Sequence, residues 1–116
     1  YENVYETLKR EIFDETGLKL KSIKNDSQTK HFSPRNDDES FGFRPFCNVQ
    51  QLKNGKPWIG FIFICEVEDG IIKPQKSEAK DTKWMPKSEV RDIFVNTPEK
   101  LFTLEIPAWE YYFRQA

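Results

Sequence analysis

Cysteine, histidine, a basic surplus and long apolar runs are all scarce in this chain, and each shortage closes off a class of function. Cys47 and Cys65 are too few and too far apart for a zinc site or a disulfide framework. They read as two reduced thiols, with Cys65 a small core residue inside the apolar run GFIFICEV. No secretory signal, transit peptide or stretch of ~18 consecutive apolar residues is present, which predicts a cytoplasmic protein that does not enter a membrane. Lys and Arg number 18 against 19 Asp and Glu, so there is no basic field to attract a nucleic-acid polymer, while a small nucleotide stays open as a ligand. His31 is the only histidine and lies in a polar stretch, where a solvated side chain is the expectation. No internal repeat or low-complexity segment is found.

A chain of 116 residues makes one domain, and an aromatic content of 15% predicts a core built largely from Phe, Tyr and Trp. The most informative stretch is Glu2 to Leu18, ENVYETLKREIFDETGL. Val4, Tyr5, Leu8 and Ile12 recur at helical spacing, and Glu11, Asp14 and Glu15 sit at i, i+3 and i+4 on another face. Gly17 follows as a helix stop, because glycine takes the left-handed conformation without steric penalty. Three carboxylates within one turn repel one another, and each like-charged pair costs a few tenths of a kcal/mol, roughly. Arg10 can neutralise one of them through a forked hydrogen bond. The charge that remains suits a hard divalent cation, Mg²⁺ or Mn²⁺, which takes oxygen ligands and shares its shell with substrate phosphates.

These residues resemble the Nudix box, G-x5-E-x7-R-E-U-x-E-E-x-G-U, with U bulky and aliphatic. Glu2 matches the first Glu, Arg10 and Glu11 the R-E pair, Ile12 the U, Asp14 and Glu15 the E-E pair, and Gly17 and Leu18 the closing G-U. Asp14 stands where the family usually has Glu, keeping the charge on a side chain one methylene shorter. The opening glycine of the motif would lie upstream of Tyr1, so the chain reads as a single Nudix-type hydrolase domain over residues 1–116 that is trimmed at its N-terminus.

Further along, Leu18 to Ile23 alternates apolar and lysine residues like a half-buried strand. Asn25 to Ser40 reads as a long polar surface loop. FGFRPF places aromatics around Arg44, a group able to stack on a base or grip a phosphate. Asn54-Gly55 predicts a type I′ hairpin turn. The run from Trp58 to Val67, WIGFIFICEV, predicts a strand buried on both faces at the centre of a sheet. A short strand at Ile71-Ile72 follows. Next comes a helix from Ser88 to Phe94, N-capped by Ser88. A last helix begins near Pro98 and is kinked or split at Pro107.

The resemblance implies an α/β fold: a Nudix-like α/β/α sandwich with a mixed central sheet, its N-terminal strands missing from this chain. A sheet so shortened exposes a ladder edge, which residues before Tyr1 or a neighbour in a homodimer would cover. The implied activity is Mg²⁺-dependent hydrolysis of the pyrophosphate in a nucleoside diphosphate linked to another moiety. By the same resemblance Glu11, Asp14 and Glu15 hold the metal, and Arg10 orients the carboxylates. Glu78, six residues before Trp84, is a candidate further ligand or general base; which of Glu11, Asp14, Glu15 and Glu78 takes the proton stays open. Phe43, Arg44 and Trp58 are the candidate substrate-binding residues. The alternative is a Nudix-like module that binds a nucleotide as a sensor without turning it over.

Overall fold

Asn3 and Gly17 bracket the first helix, α1 (Val4–Thr16), in the computed structural model, which describes residues 2–77 and 81–114. Asn3 adopts an extended backbone, and its side-chain oxygen accepts the Glu6 N–H at 2.9 Å, satisfying one of the donors a helix start leaves unpaired. At the other end Gly17 has φ 72°, and its N–H donates to the Phe13 carbonyl at 2.7 Å. The helix predicted from the acidic stretch is therefore present, and its cap at Asn3 is an addition. Two compact units divide the chain: residues 1–44 with 64–83, and residues 45–63 with 84–116.

In the first unit, α1 packs on β1 (Leu20–Ile23), which pairs antiparallel with β6 (Cys65–Val67). Leu18 and Ile23 are the buried apolar residues here. They lie an odd number of positions apart, and the ladder irregularity between Leu20 and Ser22 resets the alternation so that both face inward. The segment expected as a loop is largely structured: a 3-10 turn (Asp26–Gln28) leads into an antiparallel hairpin of β2 (Lys30–Arg35) and β3 (Asp38–Gly42). Asp37 supplies the positive φ of its turn at 62°, a conformation that short polar side chains tolerate, and Arg35 closes the turn on Asp38. Pro34 donates no ladder bond, and the pairing is irregular between Phe32 and Arg35. Tyr5 meets Phe41 edge-on at 5.5 Å, so the hairpin's one half-buried aromatic is aimed at α1.

The second unit contains β4 (Cys47–Gln50) and β5 (Ile59–Ile62), paired antiparallel, then α2 (Lys87–Asn96) and α3 (Ile106–Arg114). Cys47, Val49, Leu104 and Ala108 form its core, with Phe46 and Ile62 packed against them. Beside it Tyr112 of α3 meets Phe46 edge-on and Phe113 meets Phe94, with Trp109 packed on both α3 rings. The expectation of a core built largely from aromatics is corrected: among the described residues every buried apolar side chain is aliphatic or Cys, and the rings lie half-buried around them or exposed, because rings this large are seldom covered completely in so small a core. Pro107 sits in the first turn of α3, where a missing N–H costs nothing, so it opens this helix instead of kinking an earlier one. Pro98 begins only a 3-10 turn, Pro98–Lys100. Ser88 lies inside α2, whose N-cap position is Pro86.

Three sheet-level expectations are corrected. Among the described residues the strands pair two by two, all antiparallel, in place of one mixed central sheet. The run WIGFIFICEV is two strands interrupted at Phe63-Ile64, and Ile59 is 70% exposed, so it is not buried on both faces. Apolar content alone marked it as central, but β5 alternates, with Gly60 and Ile62 turned inward. The β4–β5 hairpin is as expected, though with a longer connection: Asn54 has φ 60° while Gly55 is not left-handed, so the type I′ turn does not form. Ile71-Ile72 makes no strand, and Ile71 is exposed.

Candidate functional site

The acidic face of α1 is held by one forked arginine. Arg10 Nη2 donates to Glu2 Oε1 at 2.6 Å and Arg10 Nε to the same carboxylate at 3.2 and 3.3 Å, while Thr7 Oγ1 adds a third donor at 3.0 Å. The Arg10 fork, and after it the Thr7 hydroxyl, holds the Glu2 carboxyl below the usual carboxylate range. The same hydrogen bond pushes the Arg10 guanidinium up. With its other nitrogen, Nη1, Arg10 reaches Asp14 Oδ2 at 3.9 Å, so it bridges the first and third carboxylates of the motif, Glu2 and Asp14.

Asp14 carries a second cation that the sequence did not disclose: Lys76 Nζ stands 3.3 Å from the same Oδ2. Local backbone geometry places it there. The Lys73 N–H donates to Thr16 O at 2.8 Å and the Gln75 N–H to Asp14 O at 2.7 Å, docking residues 73–75 on the carbonyls that the end of α1 leaves free. Gln75 Nε2 braces the turn on Lys73 O at 2.7 Å. Gly17 makes the approach possible, since a Cβ there would collide with the Lys73 carbonyl oxygen. Glycine is thus required twice at this position, for its φ and for its lack of a side chain.

Glu11 and Glu15 are exposed, and among the described residues neither takes a hydrogen bond or an ion pair; Glu11 acts on Arg10 through its charge alone. In kind these donors fit a hard divalent cation: all are carboxylate oxygens, and Asp14 already draws two cationic groups. They are not gathered, because among the described residues no three His, Cys, Asp or Glu side chains converge closely enough to hold a metal ion. Glu78, the further candidate, lies outside the described residues.

The substrate-binding candidates are divided between the two units, and each is described within its own. Phe43 stacks on Phe41 at 6.2 Å in the first unit, and Arg44 beside it is exposed. His31 pairs with Glu39 at 3.2 Å and is 6.5 Å from the Phe41 ring, so it belongs to the hairpin surface as the polar context predicts. An open groove in this unit, lined by Tyr5, Lys9, Thr29 and Phe41 among others, lies on a side of α1 turned away from Glu11 and Glu15. Trp58 belongs to the second unit, where it lines an open pocket with Lys56, Asn54 and Phe102.

Among the described residues no helix is long and apolar enough to cross a membrane. No curated protein and no solved structure matches the chain. A sequence model of the NUDIX domain matches residues 1–105, which include the Glu2 to Leu18 motif, the Arg10 bridge and the Gly17 stop. On that match, the chain belongs to the Nudix family.

Proposed function

We propose that this protein hydrolyses the pyrophosphate linkage of a nucleoside diphosphate joined to another moiety, with Mg²⁺ bound at the acidic face of α1 and Mn²⁺ able to replace it. Residues 1–116 act together in this reading as one cytoplasmic Nudix-type domain. The observation that carries it is the charge pattern of one helix: Arg10 spent on Glu2 and Asp14, with Glu11 and Glu15 left negative on the adjoining surface. Among the described residues that surplus serves no internal pairing.

Glu11, Asp14 and Glu15 would hold the ion, which when bound supplies neutralisation of phosphate charge. Arg10 keeps the carboxylates in register by tying the start of α1 to its fourth turn, a positioning role. A carboxylate from the set Glu11, Asp14, Glu15 and Glu78 takes the proton from the attacking water. One new P–O bond forms as the bridging P–O bond breaks, so two phosphate-bearing products leave and the proton passes to solvent. Phe43 and Arg44 offer an aromatic face and a guanidinium to the base or phosphates, and Trp58 offers a second aromatic face.

The test is a substrate screen with Mg²⁺ and with Mn²⁺, followed by product analysis and repeated on Glu15→Gln. That variant removes a ligand charge with little change in volume, and it is expected to lose about 100-fold or more in kcat, the scale typical of deleting one electrostatic contributor. Hydrolysis by E15Q at the parent rate overturns the assignment. The second reading, a nucleotide sensor, is favoured by two features: Asp14 is already paired with Lys76, and no three acidic ligands converge among the described residues. Calorimetric binding of a nucleotide without any product selects it.

A further inference from the structure

We propose that Lys76 is a phosphate-binding residue held in reserve: in the absence of ligand its ammonium occupies Asp14 in place of a divalent cation, and once displaced it binds the diphosphate. The proposal rests on the reading that the acidic face of α1 takes Mg²⁺.

Three observations carry it. First, Lys76 is placed by the fold and not by chance, because its segment is pinned to the end of α1 by the Lys73–Thr16 and Gln75–Asp14 backbone hydrogen bonds and admitted by Gly17. Second, Asp14 Oδ2 is shared by Lys76 at 3.3 Å and Arg10 at 3.9 Å, but the two cations are not equivalent. Arg10 is anchored by its fork on Glu2, whereas among the described residues Lys76 has no partner besides Asp14. Third, the Lys76 side chain is 50% exposed, so its charge already faces the solvent from which a ligand arrives.

An ammonium and a divalent cation cannot both sit against one carboxylate oxygen without strong repulsion, so Lys76 and the ion compete for Asp14. Lysine suits the exchange: it is a point charge with three donors on a flexible four-carbon stem, able to swing from a carboxylate to a phosphate while its backbone stays fixed. The net charge also favours it, since a diphosphate reaching a face that still carries Glu11 and Glu15 needs a cation beside the ion.

The test uses the full chain with Lys76→Met, which keeps the stem and removes the charge, and Lys76→Arg, which keeps the charge. Mn²⁺ uptake without nucleotide is read from the spin-resonance signal of the free ion. K76M is expected to bind Mn²⁺ about two- to fivefold more tightly than the parent, within the worth of an exposed ion pair, and K76R to match the parent. At saturating Mn²⁺, inorganic pyrophosphate, a diphosphate without a base, is expected to bind K76M about three- to tenfold more weakly, with K76R again close to the parent. An increase in one affinity with a decrease in the other is not what loss of a merely structural lysine would produce. Unchanged Mn²⁺ affinity in K76M, or unchanged pyrophosphate affinity, overturns the proposal while leaving the hydrolase reading in place. If the parent takes up no Mn²⁺ and Asp14→Asn behaves identically, the hydrolase reading fails and this proposal goes with it.

Discussion

Replacing Gly17 by alanine tests the local architecture of the site, because two separable costs meet at this residue. The first is conformational: an L side chain at φ 72° brings Cβ toward the following carbonyl, at roughly 1–2 kcal/mol. The second is steric, since the new Cβ would collide with the Lys73 carbonyl oxygen, a backbone atom with no rotamer by which to retreat. Residues 73–75 must then lift from α1 and give up the hydrogen bonds to Thr16 O and Asp14 O, each worth about 0.5–1.5 kcal/mol net. Together these predict a loss of about 2–5 kcal/mol, measured by urea unfolding with the slope checked for constancy. Gly17→Asn separates the two costs, because asparagine tolerates the left-handed region but still carries a Cβ. It is expected to lose about 1–3 kcal/mol. Both variants within about 0.5 kcal/mol of the parent would refute the reasoning, a margin typical of surface changes away from any special feature. Parental stability in G17N alone would show that the close approach of Lys73 is not what restricts this position.

Acid should erase the contribution of Glu2 in a definite direction. Its carboxyl is held low in the folded chain by Arg10 and Thr7, so the stabilisation is present above the unfolded value of about 4.3 and is lost as pH falls through the folded value. Melting temperatures of the parent and Glu2→Gln are therefore expected to differ by a constant amount above about pH 5.5 and to converge in more acid solution; a gap that persists unchanged to pH 2 contradicts the fork. In the second unit, Leu104→Ala removes a side chain packed with Val49 and Ala108 and should cost about 2–4 kcal/mol in chemical unfolding. A loss under about 1 kcal/mol would show that this cluster is not a close-packed core.

The site was legible where chemistry and period coincide along one segment. A 3.6-residue repeat of apolar positions, three acids in one turn and a terminal glycine all concern residues close in sequence, and α1 with its Gly17 stop follows from them. The Arg10 bridge was half visible: a guanidinium four residues before Asp14 must lie on its side of the helix, whereas its fork on Glu2 depends on how the chain enters the first turn. The β2–β3 hairpin was not legible, because every residue of β2 is exposed and a strand without a buried face leaves no alternation to read. The run from Trp58 to Val67 misled in the opposite way, its apolar content hiding a break at Phe63-Ile64.

By itself, then, the order of residues determined the family, the acidic helix and the identity of the groups on its surface, since each follows from neighbours within a few turns. Only the folded chain decided that Lys76 meets Asp14. That pair joins positions far apart in sequence through a docking of backbone on backbone, which depends on Gly17 lacking a side chain and on carbonyls left free at a helix end. Hydrogen bonds of this kind use groups that every residue carries, so no pattern of side chains announces them.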